Sequence, residues 1–299
     1  MSNHTHHHHP PTYHNLTVSD GTTIAYTLAG NPSSPPLLLL HGFPSSSHQY
    51  RNLIPLLSPT HHIIAPSLPG FGLTSTPPHY PFTFATLTST LNLFLTALHL
   101  SKYAVYIFDY GAPIALRLAL QNPSALTAII SQNGNAYTQG FGHPFWDPIF
   151  ATWSSGNSPA TREALRAGAM TLSFTRLQYE AGVPASDLPL IDPVTYNLDY
   201  EQNIAPPERQ EAQLDLLYDY RTNVDLYPEF HAYFRESQVP LLAIWGKGDP
   251  AFVPAGARAF GEDLKGAEIR FVDAGHFALE TKGGEIAREV VGFLGRVGW

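Results

Sequence analysis

Short, fully apolar runs alternate along this chain with stretches of helical periodicity, and that alternation restricts the fold more than any other feature. "PLLLLHG" from residue 36 and "HHIIAPS" from residue 61 are apolar over most of their length. A strand with one wet face alternates apolar and polar residues, whereas one apolar throughout is buried on both faces, as in a parallel sheet. "FATLTSTLNLFLTALHL" (84–100) then carries apolar residues at helical spacing. "YAVYIF" (103–108) and a helical "GAPIALRLAL" (111–120) follow, then "ALTAIISQN" (125–133). The pattern resumes with "VPLLAIWG" (239–246), a helical "GARAFGEDL" (256–264), "AEIRFVD" (267–273) and a last helix from Gly284. Upstream, "HNLTVS" and "TIAYTLA" flank Asp20-Gly21, which predicts a hairpin. The fold class expected is α/β, a mostly parallel sheet flanked by helices.

Residues 134–233 interrupt the alternation. They hold Trp146, Trp153 and many tyrosines, and "TREALRAGAMTLSF" and "PPERQEAQLDLLYDYR" read as helices. An inserted helical cap over the strand ends is predicted here, between core segments 13–133 and 234–299. Residues 1–12 are set aside as a disordered His-rich tail. Its "HTHHHH" (4–9) is expected to be too flexible to anchor a catalytic metal site.

Composition removes several function classes. Net charge is −8 at pH 7 with only 16 Lys and Arg in 299 residues, which argues against a nucleic-acid surface. The chain has no cysteine, so disulfides, thiol catalysis and thiolate metal sites are excluded. No apolar run approaches the length of a membrane span or a secretory leader, so a soluble cytoplasmic protein without membrane contact is expected. A homodimer is compatible with the sequence. The chemistry below calls for a small-molecule substrate, no cofactor and no metal.

In parallel sheets, ligands bind beyond the carboxyl ends of the strands. Past "PLLLL" stands His41-Gly42-Phe43-Pro44; past "YAVYIF" stands Asp109; past "LLAIWG" stands Asp249; past "IRFVDAG" stands His276. A strand-to-helix turn needs small neighbours to lift one side chain above the sheet, and Gly111 and Ala112 follow Asp109. The start of that helix favours negative charge. The loop after the first parallel strand can aim backbone N–H groups at one point, and the donors expected are those of Phe43 and Tyr110. Asp109, Asp249 and His276 are therefore candidate nucleophile, acid and base.

"LLLLHGFP", "IIAPSLPGFGLTS", "FDYGAP", "WGKGDP" and "DAGHFALE" together resemble the α/β-hydrolase superfamily, from about Tyr13 to the C-terminus. Within it the chain is most similar to the epoxide hydrolase and haloalkane dehalogenase branch, whose elbow nucleophile is an aspartate. An ionised carboxylate needs no base to attack an electrophilic sp³ carbon, and it leaves an alkyl ester of the enzyme. A histidine then activates the water that hydrolyses this ester, oriented by an acid.

The resemblance implies two cap tyrosines that donate hydrogen bonds to an epoxide oxygen. "YDYRTN" points to Tyr220 and "FTRLQYEAG" to Tyr179, with Tyr137 as the rival for the first position. His41, Pro44, Trp146, Trp153, Tyr137 and Phe277 are the further candidates for binding substrate. Haloalkane dehalogenases place Trp after the nucleophile and fluoroacetate-type dehalogenases Arg, where this chain has Tyr110. An epoxide hydrolase is therefore the expectation. The alternatives are a haloalkane or haloacid dehalogenase, and a non-hydrolytic binding or biosynthetic protein on the same scaffold.

Overall fold

A computed structural model describes residues 10–299, so the histidine-rich stretch at 4–9 lies outside the described residues. Eight strands form one sheet: β1 (Thr12–Thr17), β2 (Thr23–Ala29), β3 (Pro36–Leu40), β4 (His62–Pro66), β5 (Tyr103–Phe108), β6 (Leu126–Gln132), β7 (Leu241–Gly246) and β8 (Glu268–Val272). Their spatial order is β1-β2-β4-β3-β5-β6-β7-β8. β2 pairs antiparallel with β1 and β4, and every later pairing is parallel.

The helices are α1 (Ile54–Leu57), α2 (Phe84–Ala97), α3 (Gly111–Gln121), α4 (Asp147–Ser154), α5 (Pro159–Ala169), α6 (Leu172–Glu180), α7 (Pro193–Asn203), α8 (Pro207–Asp219), α9 (Arg221–Val224), α10 (Tyr227–Ser237), α11 (Pro254–Asp263) and α12 (Leu279–Val297). Helices α4 to α10 all lie in the one long connection between β6 and β7. No helix among the described residues is long and apolar enough to cross a membrane.

The strands are apolar throughout because each feeds two cores. Successive side chains point to opposite faces of a sheet. Leu38, Leu40, Val105, Ile107 and Ile129 accordingly pack on one side with α2, α3 and α11. Leu37, Leu39, Ala104, Tyr106 and Ile130 pack on the other with α1 and α12. Leu37 to Leu40 are all fully buried, and each such side chain contributes roughly 1.5–3 kcal/mol.

Several elements differ from their sequence expectations. β1 starts at Thr12, inside the span assigned to the tail. The hairpin turns through residues 18–22 with Gly21 at φ +88°, not through a two-residue loop. "TREALRAGAMTLSF" is two helices, because the Thr171 hydroxyl accepts from Phe174 N–H and starts a new one. The expected cap–core junction at 233/234 falls inside α10, which packs on α3 and α11. α12 begins at Leu279 rather than Gly284 and is kinked at Lys282.

Candidate active site

Asp109 sits at the turn from β5 into α3 with φ +46°, a left-handed conformation that costs a non-glycine residue on the order of 1–3 kcal/mol. Two glycines make this elbow possible. A Cβ at Gly111 would stand 2.2 Å from the Leu40 carbonyl oxygen, and one at Gly42 would stand 2.2 Å from Asp109 Oδ1. Ile107 stands two residues before Asp109, at the end of β5. Gly134 leaves it room, since a Cβ there would meet Ile107 at 3.3 Å and Ala112 at 3.1 Å.

The two oxygens of Asp109 have different environments. Oδ1 accepts from the Phe43 backbone N–H at 2.6 Å. The Tyr110 N–H also donates to the carboxylate. Oδ2 lies 4.0 Å from His276 Nε2. Burial pushes the Asp109 carboxyl up to about 6, and the His276 charge and the two backbone donors hold it from going higher.

Asp249 and His276 are brought to the same point. His276 Nδ1 is 2.7 Å from Asp249 Oδ2. The Asp249 carboxylate also accepts from Asn133 Nδ2 at 2.6 Å and from the N–H groups of Ala251 (2.7 Å) and Phe252 (3.0 Å). Four donors on a buried carboxylate fix its orientation and hence the imidazole's. Burial pulls the His276 pKa down, but the Asp249 and Asp109 carboxylates outweigh it and the net position is raised. Asn133 was legible in sequence only as the end of β6. Its amide also accepts from Gly246 N–H, tying β6 to the loop that carries Asp249.

A cavity of about 180 Å³ opens above Asp109. The core contributes Phe43, Asp109, Tyr110, Ala251 and His276 to its wall. The inserted helices contribute Phe145, Trp146, Ile149, Leu165, Phe174, Leu217 and their neighbours, with Gln178 among them. Trp146 is thus on the wall, but its indole N–H donates to the Ala251 carbonyl at 2.8 Å.

The other sequence candidates for substrate contact do not line this cavity. Tyr179 is buried against Phe277, Phe108 and Ile191, and its hydroxyl donates to Asp199 rather than facing the cavity. Phe277 stacks on Tyr179 with ring centres 3.9 Å apart, behind the wall. Tyr137 donates to Asp263 at 2.9 Å and stacks on His231. Tyr220 lies one turn beyond Leu217, in a layer behind Trp146 and Tyr110, with its buried hydroxyl beside that of Tyr227. Trp153 stacks parallel to Tyr220 in that same layer and donates to the Leu217 carbonyl at 2.8 Å.

His41 and Pro44 shape the loop instead of the cavity. His41 Nε2 accepts from Leu68 N–H at 2.9 Å, and burial pulls the imidazole down to about 4, so it stays neutral. The Pro44 carbonyl accepts from Asn203 Nδ2 at 2.7 Å, linking the loop to α7.

Gln178 was missed. Its signal was present: Phe174 and Gln178 are four apart on α6 and share a helix face, so the amide interrupts an apolar stripe.

Comparison with known proteins agrees with this architecture. The family model described as alpha/beta hydrolase fold matches residues 35–283. An uncharacterized hydrolase of Saccharomyces cerevisiae is 43% identical over 280 residues, covering 93% of this chain and 96% of its own. Among solved structures, the haloalkane dehalogenase DbeA of Bradyrhizobium elkani superposes with a TM-score of 0.79 at 22% identity, covering 96% of this chain and 99% of its own. The epoxide hydrolase CorEH superposes with a TM-score of 0.75 at 22% identity, covering 96% of this chain and all of its own.

Proposed function

The chain belongs to the alpha/beta hydrolase fold family, and from that premise we propose that it hydrolyses small apolar epoxides through a covalent ester on Asp109. One observation carries the reading. A carboxylate stands at the elbow, with Oδ1 held by backbone N–H and Oδ2 facing His276 Nε2 at the floor of an apolar cavity. Attack by a carboxylate on an acyl carbon would give an anhydride. Attack on an sp³ carbon gives a stable alkyl ester that needs a second, base-assisted step, and this site holds the base.

In the first half, Asp109 Oδ2 bonds to an epoxide carbon while the ring C–O bond breaks. The electron pair leaves on the oxygen, which takes a proton from water; the hydroxide so formed is neutralised by His276 when that residue is charged, or by solvent. In the second half, neutral His276 removes a proton from water, and the resulting hydroxide adds to Cγ of Asp109. Oδ1 then carries the negative charge, already within reach of the Phe43 and Tyr110 N–H groups. Asp249 stabilises the imidazolium. Collapse expels the diol and restores the carboxylate.

Halide displacement is less well served by the same wall. The Trp146 indole N–H is occupied by Ala251, and among the described residues no Lys or Arg lines the cavity. The test is a side-by-side assay of 1,2-epoxyhexane, styrene oxide, 1-chlorohexane and 4-nitrophenyl acetate. Diol formation faster than halide or acetate release, and lost in Asp109→Ala, is expected. Halide release outpacing diol formation would overturn the epoxide reading.

A further inference from the structure

Opening an epoxide puts negative charge on an oxygen that must be held somewhere. Displacement is in line, so this oxygen departs on the side of the carbon away from Asp109 Oδ2. Asp109 belongs to the floor, so the oxygen moves toward the cap. His276 lies 4.0 Å from the attacking oxygen, on the floor, and is badly placed to receive it.

The cap wall is nearly all apolar: Phe145, Trp146, Ile149, Leu165, Phe174 and Leu217 supply most of it. The tyrosines expected to meet the oxygen are engaged elsewhere or lie behind the wall, as Tyr179 and Tyr220 do. Gln178 is the exception. It lines the cavity from α6, is 3% exposed, and its Nε2 is buried without a hydrogen-bond partner. Neither side-chain amide atom makes a hydrogen bond among the described residues, so exchanging oxygen and nitrogen breaks no bond and brings the N–H to the more accessible position. An unpaired buried amide costs on the order of 1–3 kcal/mol, and on the wall of this cavity a bound substrate can supply the missing partner.

We propose that the Gln178 amide N–H is the donor that holds the departing epoxide oxygen, in the role the cap tyrosines do not fill. This rests on the epoxide reading above and specifies how the leaving group is handled. An amide donates a hydrogen bond but gives up no proton, so the alkoxide keeps its electron pair against Gln178 until water protonates it. The contact matters only while that oxygen carries charge. It therefore accelerates formation of the Asp109 ester and leaves its hydrolysis alone.

The test separates the two halves. Enzyme in excess over 1,2-epoxyhexane is quenched at short times, and protein mass reports the ester as it forms and decays. Gln178→Leu is expected to slow ester formation on the order of 100-fold, the scale of losing one transition-state donor, and to change its decay by less than about threefold. Formation at the wild-type rate overturns the proposal, and so does equal slowing of both halves, which marks a displaced cap.

If Gln178→Leu does not fold, Gln178→Glu decides. Its neutral carboxyl donates and its carboxylate does not, so ester formation relative to wild type must fall as pH rises. Asp109, Tyr110 and His276 titrate in both enzymes, and the new carboxylate beside them adds to the fall as pH rises, so Gln178→Ala, which has neither donor nor charge, is run alongside to give the donor's share. A ratio independent of pH overturns the assignment. A wild-type protein that forms no Asp109 ester from any epoxide overturns the parent reading instead.

Discussion

Gly42→Ala tests the elbow geometry without replacing any group that reacts. The added Cβ would lie 2.2 Å from Asp109 Oδ1, 2.5 Å from Asp109 Cβ and 2.5 Å from the Tyr110 nitrogen. Ordinary carbon contacts sit near about 3.5 Å, so the nucleophile or the loop must retreat by roughly 1 Å. Backbone and a short buried side chain surround the site, and none of them is a flexible end that moves cheaply. The 2.6 Å bond from Phe43 N–H to Oδ1 is stretched by the same retreat. A displacement of about 1 Å at a reacting atom costs on the order of 100-fold in rate, or about 2.7 kcal/mol of barrier. Stability should fall by about 1–3 kcal/mol, because overpacking this buried site outweighs the entropy that alanine removes from the unfolded chain. The assay is kcat/KM for 1,2-epoxyhexane beside a thermal melt. A folded variant with unchanged kcat/KM would refute the claim that Asp109 must hold this position at the elbow.

The remaining predictions concern titration and supporting groups. Attack needs ionised Asp109, whose carboxyl is raised to about 6, so kcat/KM should fall about tenfold per pH unit below that value and level off above it; a profile flat down to pH 4 would contradict this. Asp249→Asn removes the charge that stabilises imidazolium, so ester hydrolysis should slow by roughly 10³–10⁴-fold while the first-turnover burst survives, read by quenched-flow mass spectrometry. Tyr220→Phe deletes a buried hydroxyl that lies beside that of Tyr227 and off the cavity wall, so the melting temperature should shift little and kcat/KM stay within about threefold. A large loss of kcat/KM in that variant would return Tyr220 to the reacting oxygen.

How far the sequence could be read depended on the range of the interactions. The doubly buried strands were legible because Leu37 to Leu40 satisfy two cores at once, and no other arrangement tolerates such a run. Asp109, Asp249 and His276 were legible because strand ends place residues at one edge whatever the loops do. The cap residues were not, because their roles depend on which way a helix turns its face. Tyr179 and Gln178 are adjacent on α6, and one residue of rotation decides which meets the cavity. Asp199, on another helix, claims the Tyr179 hydroxyl, and no local pattern foretells that bond. Tyr137 was drawn away in the same manner by Asp263, far along the chain. Ile107 at the elbow packs against Gly134, just past the next strand, and a Cβ there would crowd it at 3.3 Å.

The central claim is that Asp109 Oδ2 becomes part of the product. A single turnover of 1,2-epoxyhexane by excess wild-type enzyme in H₂¹⁸O measures this directly, with product and the peptide containing Asp109 both analysed by mass. Water attacks Cγ of the ester in this account, so the first diol carries the unlabelled carboxylate oxygen and the label enters Asp109. Labelled diol from that first turnover, with an unlabelled Asp109, would mean that water attacks the epoxide directly and would contradict the account.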